Sequence, residues 1–167
     1  MEVNAITTEN SRYQFVPRTL VFIKNNDKYL LIHKKKRNSF GFNKFNGVGG
    51  HIEKGEEPFE SACREIAEET GLKINSLELT AILFIDTISA TGIQVFVFRA
   101  DYLNGEITNS CEGILKWMPY AEIKDNKDVV SDVPELIQIC ETHNRGSKPQ
   151  IIKYLYNDLG ELRIVNH

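Results

Sequence analysis

Apolar positions along this chain follow two periods. Residues 18–23 and 29–33 are short runs rich in Leu, Val and Ile that read as strands, and Asn25-Asn26-Asp27 between them predicts a hairpin. Residues 76–87 and 92–101 predict two more strands joined around 89–92, and 115–118 begins another short one. The period becomes helical over 58–70, where Phe59, Ala62, Cys63 and Ile66 fall at i, i+3, i+4 and i+7 and are expected to face the core. Pro58 suits the first helical position and Gly71 the left-handed residue just past the end. A second helix is predicted over 133–143, with Asp132 as its N-cap, Pro134 near its start, and Leu136, Ile137 and Cys140 on one face. The tail, 150–156 and 161–165 around Asn157-Asp158-Leu159-Gly160, predicts a last hairpin. Two helices among short strands, with no repeat, linker or low-complexity tract, predict a single domain over 1–167, its residues 1–12 loosely ordered.

Hydrophobic patterning leaves the polar side of the helix at 58–70 unexplained. Glu65 lies about 40° from Glu69 and about 60° from Glu68 on the helical wheel, so three carboxylates share one sector. Like charges at these spacings repel. The simplest physical reason to gather them is a hard divalent cation, Mg²⁺ above all, which takes carboxylate, carbonyl and water oxygens. The apolar stripe is centred roughly 120° away, which places Glu69 at its border and predicts partly buried carboxylates. Arg64 stands one turn from Glu60 and Glu68 and within reach of Glu56, and so reads as a clamp fixing the preceding loop on the helix.

Composition narrows the setting. The 167 residues, 41% hydrophobic and 26% charged, suit one globular core. A net charge of −3 argues against nonspecific binding to nucleic acid or acidic membrane. The apolar runs are too short for a spanning helix and residues 1–12 are polar, so a cytoplasmic location is expected. Cys63, Cys111 and Cys140 lack paired metal-ligand spacing and are expected as reduced thiols, with Cys63 facing the core. That spacing also disfavours zinc.

Gly50, Glu56, Arg64-Glu65, Ile66, Glu68-Glu69, Gly71 and Leu72 together resemble the Nudix box, Gly-x5-Glu-x7-Arg-Glu-U-x-Glu-Glu-x-Gly-U with U a bulky aliphatic, and meet it at every position. Chance produces such a match on the order of once in ten million chains of this length. The resemblance implies an α/β (α+β) fold, an α/β/α sandwich around a mixed β-sheet. It also implies Mg²⁺-dependent hydrolysis of a phosphoanhydride, with Mn²⁺ as a substitute metal. By position, Glu65, Glu68, Glu69 and the Gly49 carbonyl are the implied metal ligands, with Glu56 and Arg64 supporting them from behind. Glu112, five residues before Trp117, is the candidate distant acid, the alternative being a solvated loop carboxylate. Glu69 and Glu112 are both candidates for the base, and Glu68 completes the catalytic acids.

The loop at 34–46 bears on the substrate. Lys35, Lys36 and Arg37 either screen phosphates or form a solvated basic loop, and Phe42 and Phe45 either wall a base or pack. Asn46 offers a donor and an acceptor, enough to read a purine edge bidentately. Phe45-Asn46-Gly47-Val48-Gly49-Gly50 is similar to the Nudix branch that hydrolyses oxidised purine triphosphates such as 8-oxo-dGTP, giving the monophosphate and pyrophosphate. Val48 replaces that branch's aromatic, and of its paired acids only Asp132 is kept, behind Ser131, where it serves either the base or the helix cap. The expected partner is a small nucleotide rather than a nucleic acid or a membrane. ADP-ribose, dinucleoside polyphosphates and unmodified dNTPs are alternative substrates for the same box, and a non-catalytic nucleotide-sensing module is disfavoured by the intact acids.

Overall fold

The first hairpin sets the sheet. In a computed structural model that describes residues 13–35, 42–74, 76–87, 91–156 and 162–166, β1 (Gln14–Asn25) and β2 (Lys28–Lys34) pair antiparallel across Asn26-Asp27. Asn26 turns the chain at φ 56, a left-handed conformation that asparagine tolerates better than most residues. β4 (Leu77–Ile85) and β5 (Thr91–Asp101) form the second predicted pair, and β7 (Gln150–Tyr156) and β8 (Leu162–Asn166) the third. The pairs join through parallel ladders, β1 to β5 and β4 to β7. Short β3 (Phe45–Asn46) adds to β2 beyond β1, and β6 (Gly113–Pro119) runs the length of β2 on its other edge. The sheet is therefore mixed, as expected.

Alternation along the central strands gives the sheet two greasy faces. Val21, Ile23 and Leu30 pack with Ala62 and Ile66 of α1 (Pro58–Thr70) on one side. Phe22, Leu31, Ala81 and Val97 meet Val133, Leu136, Ile137 and Cys140 of α3 (Val133–Thr142) on the other. The larger of these side chains, Val to Phe, each contribute roughly 1.5–3 kcal/mol by leaving water, so both helices are held by burial rather than by helix propensity. This is the α/β/α sandwich. Among the described residues no helix is long and apolar enough to cross a membrane.

Three expectations change. A third helix, α2 (Tyr120–Asp125), lies between β6 and α3 where only two helices were predicted; its six residues are too few for a readable period. The buried arc of α1 is Ser61, Ala62, Ile66, Glu69 and Thr70, turned toward the acids, while Phe59 is exposed and Cys63 only half-buried. Cys63 thus skirts the core instead of facing it. Asp132 stands at the N-cap of α3, but its side chain makes no capping hydrogen bond. Residues 1–12, Lys36, Arg37 and the turn residues 89–90 and 157–160 lie outside the described residues.

Candidate active site

Two glycines bring the box against the sheet. Gly49 adopts φ 146, and a Cβ there would meet the Thr19 carbonyl oxygen at 2.2 Å, so only glycine allows this approach to β1. The approach is then fixed by backbone hydrogen bonds, Thr19 N–H to Gly50 O at 2.9 Å and Val21 N–H to Val48 O at 2.7 Å. At Gly50 a Cβ would lie 2.4 Å from Glu65 Oε1, so the missing side chain makes room for a carboxylate.

α1 aims the acids. Glu57 caps it, accepting from Phe59 N–H and Glu60 N–H while Glu60 reaches back, a capping box the sequence reading did not identify; Glu60 is thereby engaged away from Arg64. Arg64 holds both oxygens of Glu56, at 2.6 and 3.0 Å, and donates to Glu65 Oε1 at 2.9 Å, Glu68 Oε2 at 3.1 Å and the His51 carbonyl at 3.0 Å. One guanidinium thus ties the loop to two of the three box carboxylates. The Arg64 hydrogen bonds pull the Glu56 carboxyl down to about 2.

Depth grades the three acids. Glu68 is exposed, Glu65 mostly buried and Glu69 fully buried. Glu69 Oε2 accepts from Gly49 N–H at 2.9 Å, and Oε1 is paired with the ammonium of Lys34. Burial pushes the Glu69 carboxyl up to about 7, with Lys34 pulling the other way, and burial likewise raises Glu65 against Arg64. Lys34 Nζ also lies 3.4 Å from the Gly49 carbonyl oxygen and 3.8 Å from Glu112 Oε2. One ammonium therefore touches three of the oxygen donors expected around a metal.

The oxygens that hold this ammonium form a pocket for a cation. Among the described residues no three acidic, His or Cys side chains are already gathered at metal-binding distances; Lys34 and Arg64 stand between the carboxylates instead. The oxygens around Lys34 nevertheless make a hard, anionic set that suits a divalent ion. The residues present fit a divalent cation.

Beyond the carboxylates opens a cavity of about 350 Å³. Leu20, Leu83, Ile85 and Val95 line it as an aliphatic floor, with Asn46 and Asp132 as polar groups and Lys34, Gly49, Glu65, Glu68 and Glu112 toward the box. Asn46 is buried and its Oδ1 accepts from Gly47 N–H at 2.8 Å. Burial raises Asp132, whose carboxyl accepts from its own backbone amide and bonds Tyr154 but makes no capping hydrogen bond to its helix. Phe45 stays outside the cavity lining, its ring 4.8 Å from that of His33 and packed on the α3-side core. Lys35 also lies off the lining, exposed, its N–H donating to the Glu112 carbonyl at 3.1 Å.

Lys34, Arg18 and His51 are site residues that sequence reasoning missed. The signal for Lys34 was its phase: it follows Leu30 and Ile32 at every second position of β2. Arg18 stands directly opposite His51, with Nη2 2.8 Å from Nε2. Desolvation lowers both pKa values, and at His51 the charge of Arg18 adds to it.

Fold, box geometry and cavity define one class, and comparison with known proteins agrees. The NUDIX domain model matches residues 14–138, and the chain belongs to the Nudix hydrolase family, whose members depend on divalent metal and act on small nucleotide substrates. It is 33% identical over 116 residues to an oxidized purine nucleoside triphosphate hydrolase of Danio rerio, covering 69% of this chain and 73% of that one. The protein of the same name from Mus musculus is 31% identical over 111 residues, covering 63% and 70%. The crystal structure of the mutator MutT protein from Bacillus halodurans superposes with a TM-score of 0.70 at 24% identity, covering 90% of this chain and 97% of that one.

Proposed function

We propose that this Nudix hydrolase cleaves oxidised purine nucleoside triphosphates such as 8-oxo-dGTP to the monophosphate and pyrophosphate. One observation carries the reading. One cavity is lined both by the carboxylates Glu65, Glu68 and Glu112 and by an aliphatic set, Leu20, Leu83, Ile85 and Val95, together with Asn46 and Asp132. The floor suits a purine face, while an amide and a carboxyl suit its edge. The names of the 33% and 31% identical relatives support the same substrate class.

Glu65, Glu68, Glu69, Glu112 and the Gly49 carbonyl would hold Mg²⁺. When bound, the ion neutralises charge on phosphate oxygens and acidifies water. The chain's own residues do the rest. Arg64 fixes the rotamers of Glu65 and Glu68 and ties loop to helix through Glu56. Gly49 N–H orients the Glu69 carboxylate. Lys34, paired with Glu69 and close to Glu112, offsets the charge of these acids. The proton released by the attacking water passes to a carboxylate oxygen of Glu69 or Glu112. The aliphatic floor excludes water from the base.

Product analysis by ³¹P NMR tests the reading: 8-oxo-dGTP with Mg²⁺ gives monophosphate and pyrophosphate in equal amounts. Release of diphosphate and inorganic phosphate instead would refute the assigned bond.

A further inference from the structure

The cations of the cavity are not equivalent. Arg64 is committed to Glu56, Glu65 and Glu68, and Lys34 to Glu69. Arg18 pairs with no carboxylate among the described residues; its Nη2 meets the His51 ring, and its Nε is buried without a hydrogen-bond partner. A guanidinium cannot accept a hydrogen bond, so His51 Nε2 must be the acceptor and the ring proton must sit on Nδ1. A partly buried cation with no carboxylate beside it is favoured by a ligand that supplies the counter-charge.

Position says which ligand. Arg18 lies in register with Val95, and Val95 with Leu83, so it continues the row of side chains that crosses the cavity floor. Its guanidinium leaves that row toward His51, the residue after Gly50, whose missing side chain accommodates the Glu65 carboxylate. Arg18 thus stands where floor and box meet. Arg18 and His51 line the same cavity as the aliphatic floor, Glu65 and Glu68, which puts the guanidinium within the space a nucleotide spanning floor and box would fill.

We infer that Arg18, oriented by His51, is an anion subsite that takes the phosphate chain of the bound nucleotide. The inference rests on the nucleotide reading above and adds a binding residue outside the box. Arg18 provides N–H groups in a planar fork matched to a phosphate's oxygens, and His51 fixes that fork by accepting from Nη2. Lysine keeps the charge but loses the fork, and glutamine loses both.

The test is a phosphate ladder. Binding of 8-oxo-deoxyguanosine, of deoxyadenosine and of their mono-, di- and α,β-imido triphosphates is measured by calorimetry, with and without Mg²⁺, for wild type, R18K, R18Q and H51A. Wild type should tighten from nucleoside to triphosphate. In R18Q that gain should shrink at least about tenfold, as loss of a charged hydrogen bond implies, while nucleoside affinity changes less than about threefold. R18K and H51A should fall between. Equal loss on every rung would make Arg18 a base reader or a structural residue and overturn the inference, as would an unchanged ladder. Should R18Q not fold, R18K and H51A carry the same comparison. Failure of the substrate reading would show separately, as no preference between the two bases in wild type.

Discussion

The ammonium of Lys34, at the end of β2, is paired with the buried carboxylate of Glu69 in the last turn of α1, 35 residues further along the chain. The pair closes the seam between sheet and box helix at the point where the Gly49 carbonyl and Glu112 also converge.

Replacing Lys34 by Met leaves Glu69 without its counter-cation, and truncating one partner of a buried pair costs about 3–5 kcal/mol. Metal-free K34M should therefore melt about 6–20 °C below wild type. Mg²⁺ should raise its melting temperature more than it raises that of wild type, because the ion takes over the charge. Equal Mg²⁺ shifts in differential scanning calorimetry would show that Lys34 and the metal do not share these oxygens.

Gly50 and Gly49 should respond differently to alanine. A Cβ at Gly50 meets a side-chain carboxylate, Glu65 Oε1 at 2.4 Å, which can shift, whereas at Gly49 it meets the backbone carbonyl of Thr19. G50A is expected to fold yet lose at least about a hundredfold in kcat, as a misplaced active-site group would cause. G49A is expected not to accumulate as folded protein. Circular dichroism with steady-state rates distinguishes the two.

The Glu56–Arg64 clamp makes a pH prediction. The folded carboxyl is depressed from 4.5 to about 2 by Arg64, so its contribution to stability is complete above pH 4.5 and is lost as pH falls through about 2. The stability gap between wild type and E56Q should thus stay constant from pH 8 to about 5 and close between about pH 4.5 and 2. A gap that closes near neutrality would assign the stabilising proton to another group.

Much of this was legible in the sequence, for physical reasons that also mark its limits. α1 was readable because Pro58, the apolar repeat and Gly71 punctuate thirteen residues. The hairpins were readable because turn residues separate β-branched runs. What remained hidden depends on contacts distant in sequence: Glu69 was expected at the border of the buried stripe, but its pairing with Lys34 was not legible, because Lys34 sits among lysines that locally resemble a solvated loop. Phe45 was a reasonable base wall from its neighbours, but β3 pairing turns its ring onto His33. Arg18 and His51 lie 33 residues apart and meet only because glycines let the box strand approach β1.

Asn46 carries the base edge in this account. Its Oδ1 is held by Gly47 N–H, which leaves the amide nitrogen to donate to a purine carbonyl. N46A should lower kcat/KM for 8-oxo-dGTP by about 10–100-fold while leaving the Mg²⁺ concentration for half-maximal rate within about twofold. A uniform loss over every nucleotide tested would make Asn46 structural.

Coupling of the box to a purine-binding floor through one cavity is what the proposed substrate rests on. Its most direct test is a competition in which 8-oxo-dGTP, dGTP, dATP, ADP-ribose and a dinucleoside tetraphosphate share one Mg²⁺ reaction and their relative kcat/KM values are read from the rates of disappearance. 8-oxo-dGTP should be consumed first. Preferential consumption of ADP-ribose or of the dinucleoside tetraphosphate would contradict it.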